Sequence, residues 1–325
     1  MKLPPFLPRE FPGPVVTRFA PSPTGHLHAG HVLNAVYVWG LAGALEGRVL
    51  LRIENHDQGR YRREYEESIL EDLEWLELKP DRGSVSEFRA GETTMRQSDN
   101  DAAYRAALDR LKKEFDVYHC NCSRKDLANR AARNSSSNPA GVQTAGVEIP
   151  YDGFCRARNR PDEPDANGMR PGLRLVLPET AIDFQDAYTG DLTQHPARQC
   201  GDLLLRDRRG DWTYQFAVVV DDMDQGVNLV VRGVDLLEST GRQILLGRML
   251  GREKDAVFLH HPLLLEADGR KLSKRHGTPG IREARLAGTS SADFLGEVLA
   301  RSGLRDTSAP FLPSALSGLF RGGNS

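Results

Sequence analysis

The sequence predicts an α/β protein built on a doubly wound, mostly parallel sheet. Residues 15–54 read as a strand, a glycine-containing turn, a helix and a second strand, which form a βαβ unit with a right-handed crossover. Strand-like segments return at residue 173, after a stretch rich in Asn, Ser, Ala and Gly. We therefore expect a doubly wound domain that is interrupted by an insertion and followed by a short C-terminal extension.

Each predicted element has its own signal in the sequence. The first strand, VVTRFA (15–20), is rich in β-branched residues, and the next segment (31–46) repeats apolar residues at helical spacing until Gly47. The amphipathic patterns at 62–76 and 99–114 are typical of helices that cover a sheet. The segment 129–148 lacks periodicity, which predicts a mobile loop. The remaining predictions are strands at 49–54, 173–178, 203–207, 212–222 and 228–233, helices at 62–76, 99–114 and 234–250, and a tail from 301 rich in Ser, Pro and Gly.

Composition limits the possible functions. The chain has 325 residues, 39% hydrophobic and 27% charged, and no window approaches the roughly 18 apolar residues of a membrane span. The proline-broken start lacks the apolar core of a signal peptide, so we expect a cytoplasmic protein without a membrane partner. The net charge of −2 predicts no overall basic field, so any contact with nucleic acid has to be local.

The turn PTGHLHAGH (23–31) lies where open α/β sheets bind nucleotides, but it contains neither GxGxxG nor GxxxxGK[ST]. His28 and His31 are three residues apart at a helix start and project from the same side. Such imidazoles can hold phosphate oxygens, bind a metal or serve a structural turn, and we rank phosphate first. The loop GRKLSKRHG (269–277) favours phosphate, because Lys271 and Lys274 can neutralise a triphosphate during its cleavage.

Together these two segments resemble a known family. HAGH (28–31) is similar to the HIGH signature, and KLSKR (271–275) to the KMSKS signature, of class I aminoacyl-tRNA synthetases. RFAPSPTGHLHAGH and LRIENHD look like the glutamyl branch, and the resemblance extends over roughly residues 15–280. The segment 214–243 and the early stop resemble the shortened paralogues of that branch.

The resemblance implies a class I Rossmann-type parallel sheet, interrupted by a zinc-bearing insertion and followed by a short C-terminal helical extension. About 50 residues follow KLSKR, too few for an anticodon-binding domain. We expect a discontinuous catalytic domain at 14–116 and 190–262 and a zinc-containing insertion at 117–189 that contacts the tRNA acceptor end. The KLSKR loop and the shortened extension occupy 263–325.

The implied reaction is the ATP-dependent activation of L-glutamate to glutamyl-adenylate, without tRNA, with Mg²⁺ accompanying ATP. The glutamate then passes to the queuosine base at position 34 of tRNA(Asp), and we expect a monomer. One alternative is a truncated glutamyl-tRNA synthetase that charges a tRNA 3′ end. The other is a non-catalytic paralogue that binds glutamate or tRNA, although the presence of His28, His31, Lys271 and Lys274 favours an enzyme.

The site residues implied by the resemblance fall into three groups. Arg18 and Arg232 suit the two carboxylates of glutamate, Glu54 suits its ammonium group, and Tyr214 supplies a hydroxyl and a wall. For any one of these, mutual pairing of Arg and Glu at strand ends is the alternative. The catalytic group is His28, His31, Lys271 and Lys274; the glutamate group is Arg18, Phe19, Ala20, Pro21, Ser22, Glu54, Tyr214 and Arg232; the ATP group is His28, His31, Gly233, Asp235 and Lys274. His26 is expected to be an exposed turn residue.

The cysteines predict a metal site. Three of the four crowd into 120–155, which favours metal ligation over disulfides in a reducing compartment. Three thiolates need a fourth ligand for tetrahedral Zn²⁺, and the nearby candidates are Tyr151 and His119, of which general chemistry favours histidine. The resemblance instead implies the set Cys120, Cys122, Tyr151 and Cys155, holding one structural Zn²⁺ per chain. The following arginines, at 156, 158 and 160, are expected to contact tRNA phosphates.

Overall fold

The computed structural model describes residues 4–8, 10–11, 13–134, 148–158, 160–165, 168–264 and 280–321. Its strands are β1 (Val16–Phe19), β2 (Arg48–Leu51), β3 (Val117–Cys120), β4 (Gly172–Leu175), β5 (Ile182–Asp186), β6 (Gly190–Gln194), β7 (Leu203–Arg206), β8 (Leu229–Gly233) and β9 (Val257–His261). Its α-helices are α1 (Ala29–Ala44), α2 (Arg63–Trp75), α3 (Val85–Ala90), α4 (Asp101–Glu114), α5 (Arg124–Asn134), α6 (Pro196–Cys200), α7 (Tyr214–Asp224), α8 (Thr240–Met249), α9 (Ile281–Leu286) and α10 (Ser291–Arg301). None of these helices is long and apolar enough to cross a bilayer.

The predicted parallel sheet is present. Strand β1 pairs in parallel with β2, and β9 pairs in parallel with both β8 and β5, while β6 runs antiparallel at the edge. Asn228 joins the two groups of strands at the start of β8: its backbone N–H donates to the Val16 carbonyl (3.0 Å) and its side-chain oxygen accepts from the Val16 N–H (2.8 Å). The resulting order, β2-β1-β8-β9-β5-β6, brings the carboxyl ends of β1, β2 and β8 to one edge.

Helix α1 packs on this sheet and supports the C-terminal extension. Its apolar residues are buried on several sides, among them Val32, Val36 and Leu41. The extension consists of α9, α10 and a 3₁₀-helix at Pro313–Leu319, and Phe320 is completely buried. A Cβ on Gly40 would lie 2.3 Å from the Phe320 ring, so glycine at this position allows the extension to approach α1. The expected short helical extension is therefore present.

The insertion carries its own antiparallel sheet, in the order β3-β4-β7. The pairing departs from the predicted domain limits at two strands. β5 lies inside the predicted insertion (117–189) but pairs with β9 of the parallel sheet, whereas β7 lies beyond residue 190 but pairs with β4. Sequence spacing misplaced these limits because strand pairing depends on which strands the fold brings together.

The prediction of a strand at 212–222 is wrong from residue 214 onward, because helix α7 begins there. Residues 216–222 are all buried, so the helix shows no polar face, and a short apolar run of this kind cannot be told from a buried strand by periodicity. The predicted loop 129–148 is also partly wrong, since 129–134 belong to α5 and 135–147 lie outside the described residues. The predicted helix 234–250 begins as a 3₁₀-helix (Val234–Ser239) and continues as α8.

Candidate active site

A cavity of about 480 Å³ lies at the carboxyl ends of β1 and β8, beside the N-terminus of α1. It brings together most of the described residues that the sequence suggested for glutamate and ATP. These lining residues are Arg18, Ala20, Pro21, Ser22, His28, His31, Glu54, Tyr214, Arg232, Gly233 and Asp235. Lys271 and Lys274 lie outside the described residues.

Phe19 is the exception among the predicted glutamate residues. Its side chain does not line the cavity but is buried in the core, with its ring centroid 5.5 Å from that of Trp39. The alternation of side chains along β1 explains this, because neighbours Arg18 and Phe19 point to opposite faces of the sheet.

His28 and His31 cap the start of α1 through their Nδ1 atoms. The His28 Nδ1 accepts from the Gly30 N–H, and the His31 Nδ1 accepts from the His28 N–H, both at 3.1 Å. In the neutral rings the proton is therefore on Nε2, which makes each ring a donor at a helix N-terminus. The ring centroids are 4.0 Å apart, so the two donors can serve one anion.

The metal alternative for these histidines gains no support. Among the described residues, the cysteine cluster of the insertion is the group of three or more ligand side chains close enough to hold an ion. The structural alternative, a capped turn, agrees with the Nδ1 bonds. Gly30 fits closely in this turn, because a Cβ there would lie 2.9 Å from the His28 Cε1.

The side of the cavity that contains Arg18 and Glu54 is held by a buried charge network. The Asp222 Oδ1 accepts from the Arg18 Nε (3.1 Å) and from the Arg52 Nη1 (2.8 Å), and the Arg52 Nη2 donates to the Glu54 Oε1 (3.0 Å). Burial alone would raise the pKa of Asp222, but the charges of Arg18 and Arg52 bring it below its usual value. Arg18 and Glu54 thus pair with other residues rather than with each other.

Sequence reasoning missed Arg52 and Asp222. Arg52 is completely inaccessible to solvent and lies only two residues before the predicted Glu54. Asp222 ends an apolar run in α7, and two adjacent aspartates after such a run were the available signal. A buried acid needs a buried base, and this rule would have paired them.

Arg232 has a different environment. Its side chain is buried, and it donates to the His260 Nε2 (2.9 Å), the Gln243 Oε1 (2.7 Å) and the Thr240 Oγ1 (2.8 Å). All three partners are neutral, and among the described residues no carboxylate lies within ion-pair distance of this guanidinium. A buried cation without a contacting anion favours the entry of an anionic ligand.

Another part of the cavity wall is partly apolar. It includes Leu263, and a Cβ on Gly233 would lie 2.9 Å from the Leu263 Cδ2. Sequence reasoning missed His261 and Asn34, which contact each other at 3.1 Å in this wall. Burial lowers the pKa of His261 to about 4, so this ring is neutral at pH 7.

His26 does not match its prediction as an exposed turn residue. It is half-buried, its Nδ1 lies 2.9 Å from the Ser68 Oγ of α2, and its ring meets the edge of Tyr65. The imidazole therefore ties the turn to α2 and does not belong to the cavity lining.

The cysteines of the insertion form a cluster whose geometry fits Zn²⁺. The Sγ atoms of Cys120, Cys122 and Cys155 lie within 4.8 Å of one another, and none is in a disulfide. The Tyr151 hydroxyl lies 3.3 Å from the Cys120 Sγ and 3.9 Å from the Cys122 Sγ, and the Cys122 and Cys155 sulfurs are 3.6 Å apart. Tetrahedral Zn²⁺ requires about 3.8 Å between sulfurs and about 3.5 Å from sulfur to oxygen, so the four donors suit this ion.

His119, the other candidate ligand, lies apart from this cluster. Its Nδ1 is 3.1 Å from the Arg160 carbonyl oxygen, which leaves Tyr151 as the group at the fourth corner. Two cations approach the sulfurs: Arg174 donates to the Cys120 Sγ (3.4 Å) and Arg130 to the Cys122 Sγ (3.5 Å). Burial and the neighbouring cysteines raise the pKa of Cys122 to about 11 in the absence of metal, so these guanidinium groups are the nearby cations that favour the thiolate form in which cysteine binds metal.

The three arginines that follow the cluster do not form one uniform surface. Arg156 is bonded to the buried carboxylate of Asp202. Arg158 lies over the half-exposed ring of Phe154, with its guanidinium carbon 3.7 Å from the ring centroid. The expectation that all three contact phosphates therefore needs revision for Arg156, whose charge is already paired.

Comparison with known proteins agrees with this geometry. Residues 14–308 match the family model described as tRNA synthetases class I (E and Q), catalytic domain. The glutamyl-Q tRNA(Asp) synthetase of Symbiobacterium thermophilum is 42% identical over 306 residues, which cover 93% of this chain and 91% of that protein. The enzyme of the same name from Nitratidesulfovibrio vulgaris is 38% identical over 305 residues, with 93% and 90% covered.

Among solved structures, a glutamate tRNA ligase from Elizabethkingia meningosepticum in complex with its amino acid superposes with a TM-score of 0.74 at 25% identity. The match covers 94% of this chain but 64% of the longer ligase, so this chain spans less than two thirds of that protein. These findings confirm the resemblance carried by HAGH (28–31) and its neighbours. The chain belongs to the class I tRNA synthetases of the glutamate and glutamine type, a family of ligases, in which both relatives compared above are glutamyl-Q tRNA(Asp) synthetases.

Proposed function

We propose that this protein activates L-glutamate with ATP, forms glutamyl-adenylate without tRNA, and transfers the glutamate to the queuosine base at position 34 of tRNA(Asp). The names of the two relatives support the choice of acceptor. We further propose that the protein acts in the cytoplasm as a monomer and that 117–189 contains the tRNA contact.

The observation that carries this proposal is the pairing of two anion sites in one cavity. Arg232 is a buried cation with neutral partners, and the imidazoles of His28 and His31 lie at the α1 N-terminus on the same cavity. An amino acid carboxylate and a nucleotide phosphate can thus be held side by side. This arrangement serves a reaction in which the carboxylate attacks the α-phosphorus and pyrophosphate leaves.

Each group has a defined part in this proposal. The Nε2–H donors of His28 and His31 contact phosphate oxygens, and Lys271 and Lys274 stabilise the leaving pyrophosphate. Arg18 and Arg232 bind the carboxylates of glutamate, and Glu54 binds its ammonium group. Mg²⁺, when bound with ATP, supplies charge neutralisation at the phosphates.

The test is glutamate-dependent exchange of pyrophosphate into ATP, measured with and without tRNA. We expect exchange without tRNA, and charging of tRNA(Asp) only when it contains queuosine. Exchange that requires tRNA, together with charging at the 3′ end, would instead identify a truncated glutamyl-tRNA synthetase. The absence of exchange under every condition would identify a non-catalytic paralogue.

The proposed Zn²⁺ has a separate test. Cys120, Cys122, Tyr151 and Cys155 would hold the ion and cross-link the insertion, in which β3, β4 and β7 form a small sheet. We expect one equivalent of zinc per chain by elemental analysis. Serine at Cys155 should abolish this binding. Serine at Cys200 should not, because the Cys200 Sγ donates to the Pro196 carbonyl and does not belong to the cysteine cluster.

A further inference from the structure

A buried chain of hydrogen bonds leads from the Asp186 carboxylate through the His260 imidazole to the Arg232 guanidinium. The Asp186 Oδ2 lies 2.7 Å from the His260 Nδ1 and also accepts from the His260 backbone N–H (3.1 Å). The His260 Nε2 accepts from the Arg232 Nε at 2.9 Å. Asp186 and His260 are completely inaccessible to solvent, and the sequence analysis singled out neither of them.

The other contacts of Asp186 fix the direction of this chain. Its Oδ1 accepts from the backbone N–H groups of Tyr188 (3.0 Å) and Thr189 (2.9 Å). Burial alone would raise the pKa of Asp186, but the hydrogen bonds from His260 and Thr189 lower it, so the carboxylate accepts only. Burial lowers the pKa of His260, which keeps the ring neutral. A neutral ring that donates from Nδ1 has a lone pair on Nε2, and this lone pair faces Arg232.

An imidazole between the two charges differs from a direct ion pair. A carboxylate in contact with Arg232 would neutralise the guanidinium and occupy the edge that a substrate carboxylate needs. The His260 ring between them accepts only from the Arg232 Nε–H. It also separates the Asp186 carboxylate from the guanidinium by the width of one imidazole. Gln243 and Thr240 each take one further N–H, and the Tyr214 hydroxyl is another partner. Of the five N–H groups of the guanidinium, one on an Nη atom remains beyond these four bonds.

We propose that Asp186 and His260 are positioning residues that hold the Arg232 guanidinium in the orientation needed to bind a carboxylate of the amino acid substrate. This inference rests on the proposed function, because it names the residues that prepare the glutamate subsite. The register of the sheet supports it: Arg232 on β8 is paired directly with His260 on β9, and Asp186 ends the neighbouring strand β5.

The kinetic test compares His260→Gln with His260→Leu. Both changes remove the Nδ1–H that faces Asp186 and leave the backbone N–H contact in place, but a glutamine amide oxygen can still accept from the Arg232 Nε–H. We expect His260→Leu to raise the KM for glutamate about tenfold or more, with the KM for ATP within about twofold of the parent value. His260→Gln should recover most of the glutamate affinity. Equal KM values for glutamate in the two variants would overturn the proposal.

The second comparison is between two aspartates of β5. Both oxygens of the Asp186 carboxylate accept hydrogen bonds, so Asp186→Asn places an amide NH₂ against N–H donors. This substitution should therefore raise the KM for glutamate. Asp183→Asn is the matched control, because Asp183 is exposed and contacts the Thr193 hydroxyl. A folded Asp186→Asn protein with the parent KM would overturn the proposal. If this variant fails to fold, the two His260 variants decide the question.

The tautomer of His260 can be measured without any reaction. In ¹⁵N-histidine-labelled protein, the signal that disappears in His260→Gln belongs to His260, and we expect its proton on Nδ1. A proton on Nε2 would overturn the proposal, since that nitrogen would then repel the Arg232 N–H. A parent protein without glutamate-dependent exchange would refute the proposed function, while this NMR measurement would still decide the state of the ring.

Discussion

Gly30→Ala tests how the turn before α1 serves catalysis. The new Cβ would lie 2.9 Å from the Cε1 and 3.1 Å from the Nδ1 of His28, so the imidazole has to move by about 0.5 Å to reach ordinary contact. This movement breaks the bond between the His28 Nδ1 and the residue 30 N–H and displaces the Nε2–H. A misplacement of this size in an aligned site predicts a loss of about 10- to 100-fold in the rate of adenylate formation.

Stability should hardly change, which separates this effect from unfolding. Alanine in the first turn of the helix contributes about 1 kcal/mol relative to glycine, and losing the His28 cap costs about the same. We therefore expect the free energy of unfolding to remain within about 1 kcal/mol of the parent value. Gly318→Ala is the matched control, because nothing lies within 4 Å of its Cβ position.

The assay is a double-mutant cycle in pyrophosphate exchange with glutamate. His28→Ala by itself should lower the rate by about 100-fold or more, the usual cost of removing a donor to developing charge. Because Gly30→Ala acts through this imidazole, it should add little in the His28→Ala background. Independent, multiplicative losses from the two substitutions would refute the reasoning.

Three further predictions concern other parts of the molecule. Tyr151→Phe removes the oxygen at the fourth corner of the cysteine cluster and should weaken zinc binding by about tenfold or more. The zinc affinity can be measured by competition with a chromophoric chelator, and an unchanged affinity would exclude Tyr151 as a ligand. Burial raises the pKa of Asp72 from 3.8 to about 7, so the folded protein favours the protonated acid and loses stability as pH rises from about 4 to 7. Asp72→Asn should therefore be more stable than the parent at pH 8 by an amount on the order of 2–4 kcal/mol and nearly equal at pH 4, in urea unfolding; a difference independent of pH would contradict this. Replacing Arg158 and Arg160 with alanine should reduce transfer to tRNA without changing pyrophosphate exchange. Arg156→Ala should chiefly lower the melting temperature, because it leaves the Asp202 carboxylate buried without its cation. Equal effects of these variants on transfer would contradict this distinction.

Local patterns predicted most of the fold. The βαβ unit at 15–54 and the helices near 62–76 and 99–114 agree with β1, α1, β2, α2 and α4, because each has a strong period and clear ends. Helix α7 was misassigned because it is buried on all sides, which removes the alternation of polar and apolar residues on which such predictions depend. The limits of the insertion were misplaced for a related reason: strand pairing between distant segments leaves no trace in local spacing.

The candidate site was likewise predicted only in part from the sequence. Residues in short motifs were predicted from the sequence, and the cavity at the α1 N-terminus brings His28, His31 and Arg232 together. The buried residues that hold them were missed. Arg52 follows β2 directly and His260 lies in β9, and their importance follows from contacts with residues more than 25 positions away.

The sequence by itself thus determined the chemistry present in this protein: the imidazoles of PTGHLHAGH, the thiols of CNC and YDGFC, and the cations near the strand ends. These are properties of side chains at short, fixed spacing, which the covalent chain sets directly. Only the tertiary structure decided the electrostatic environment of each group. It pairs Arg18 with Asp222 and surrounds Arg232 with neutral partners, because charge compensation in a buried site depends on through-space distances that only folding creates.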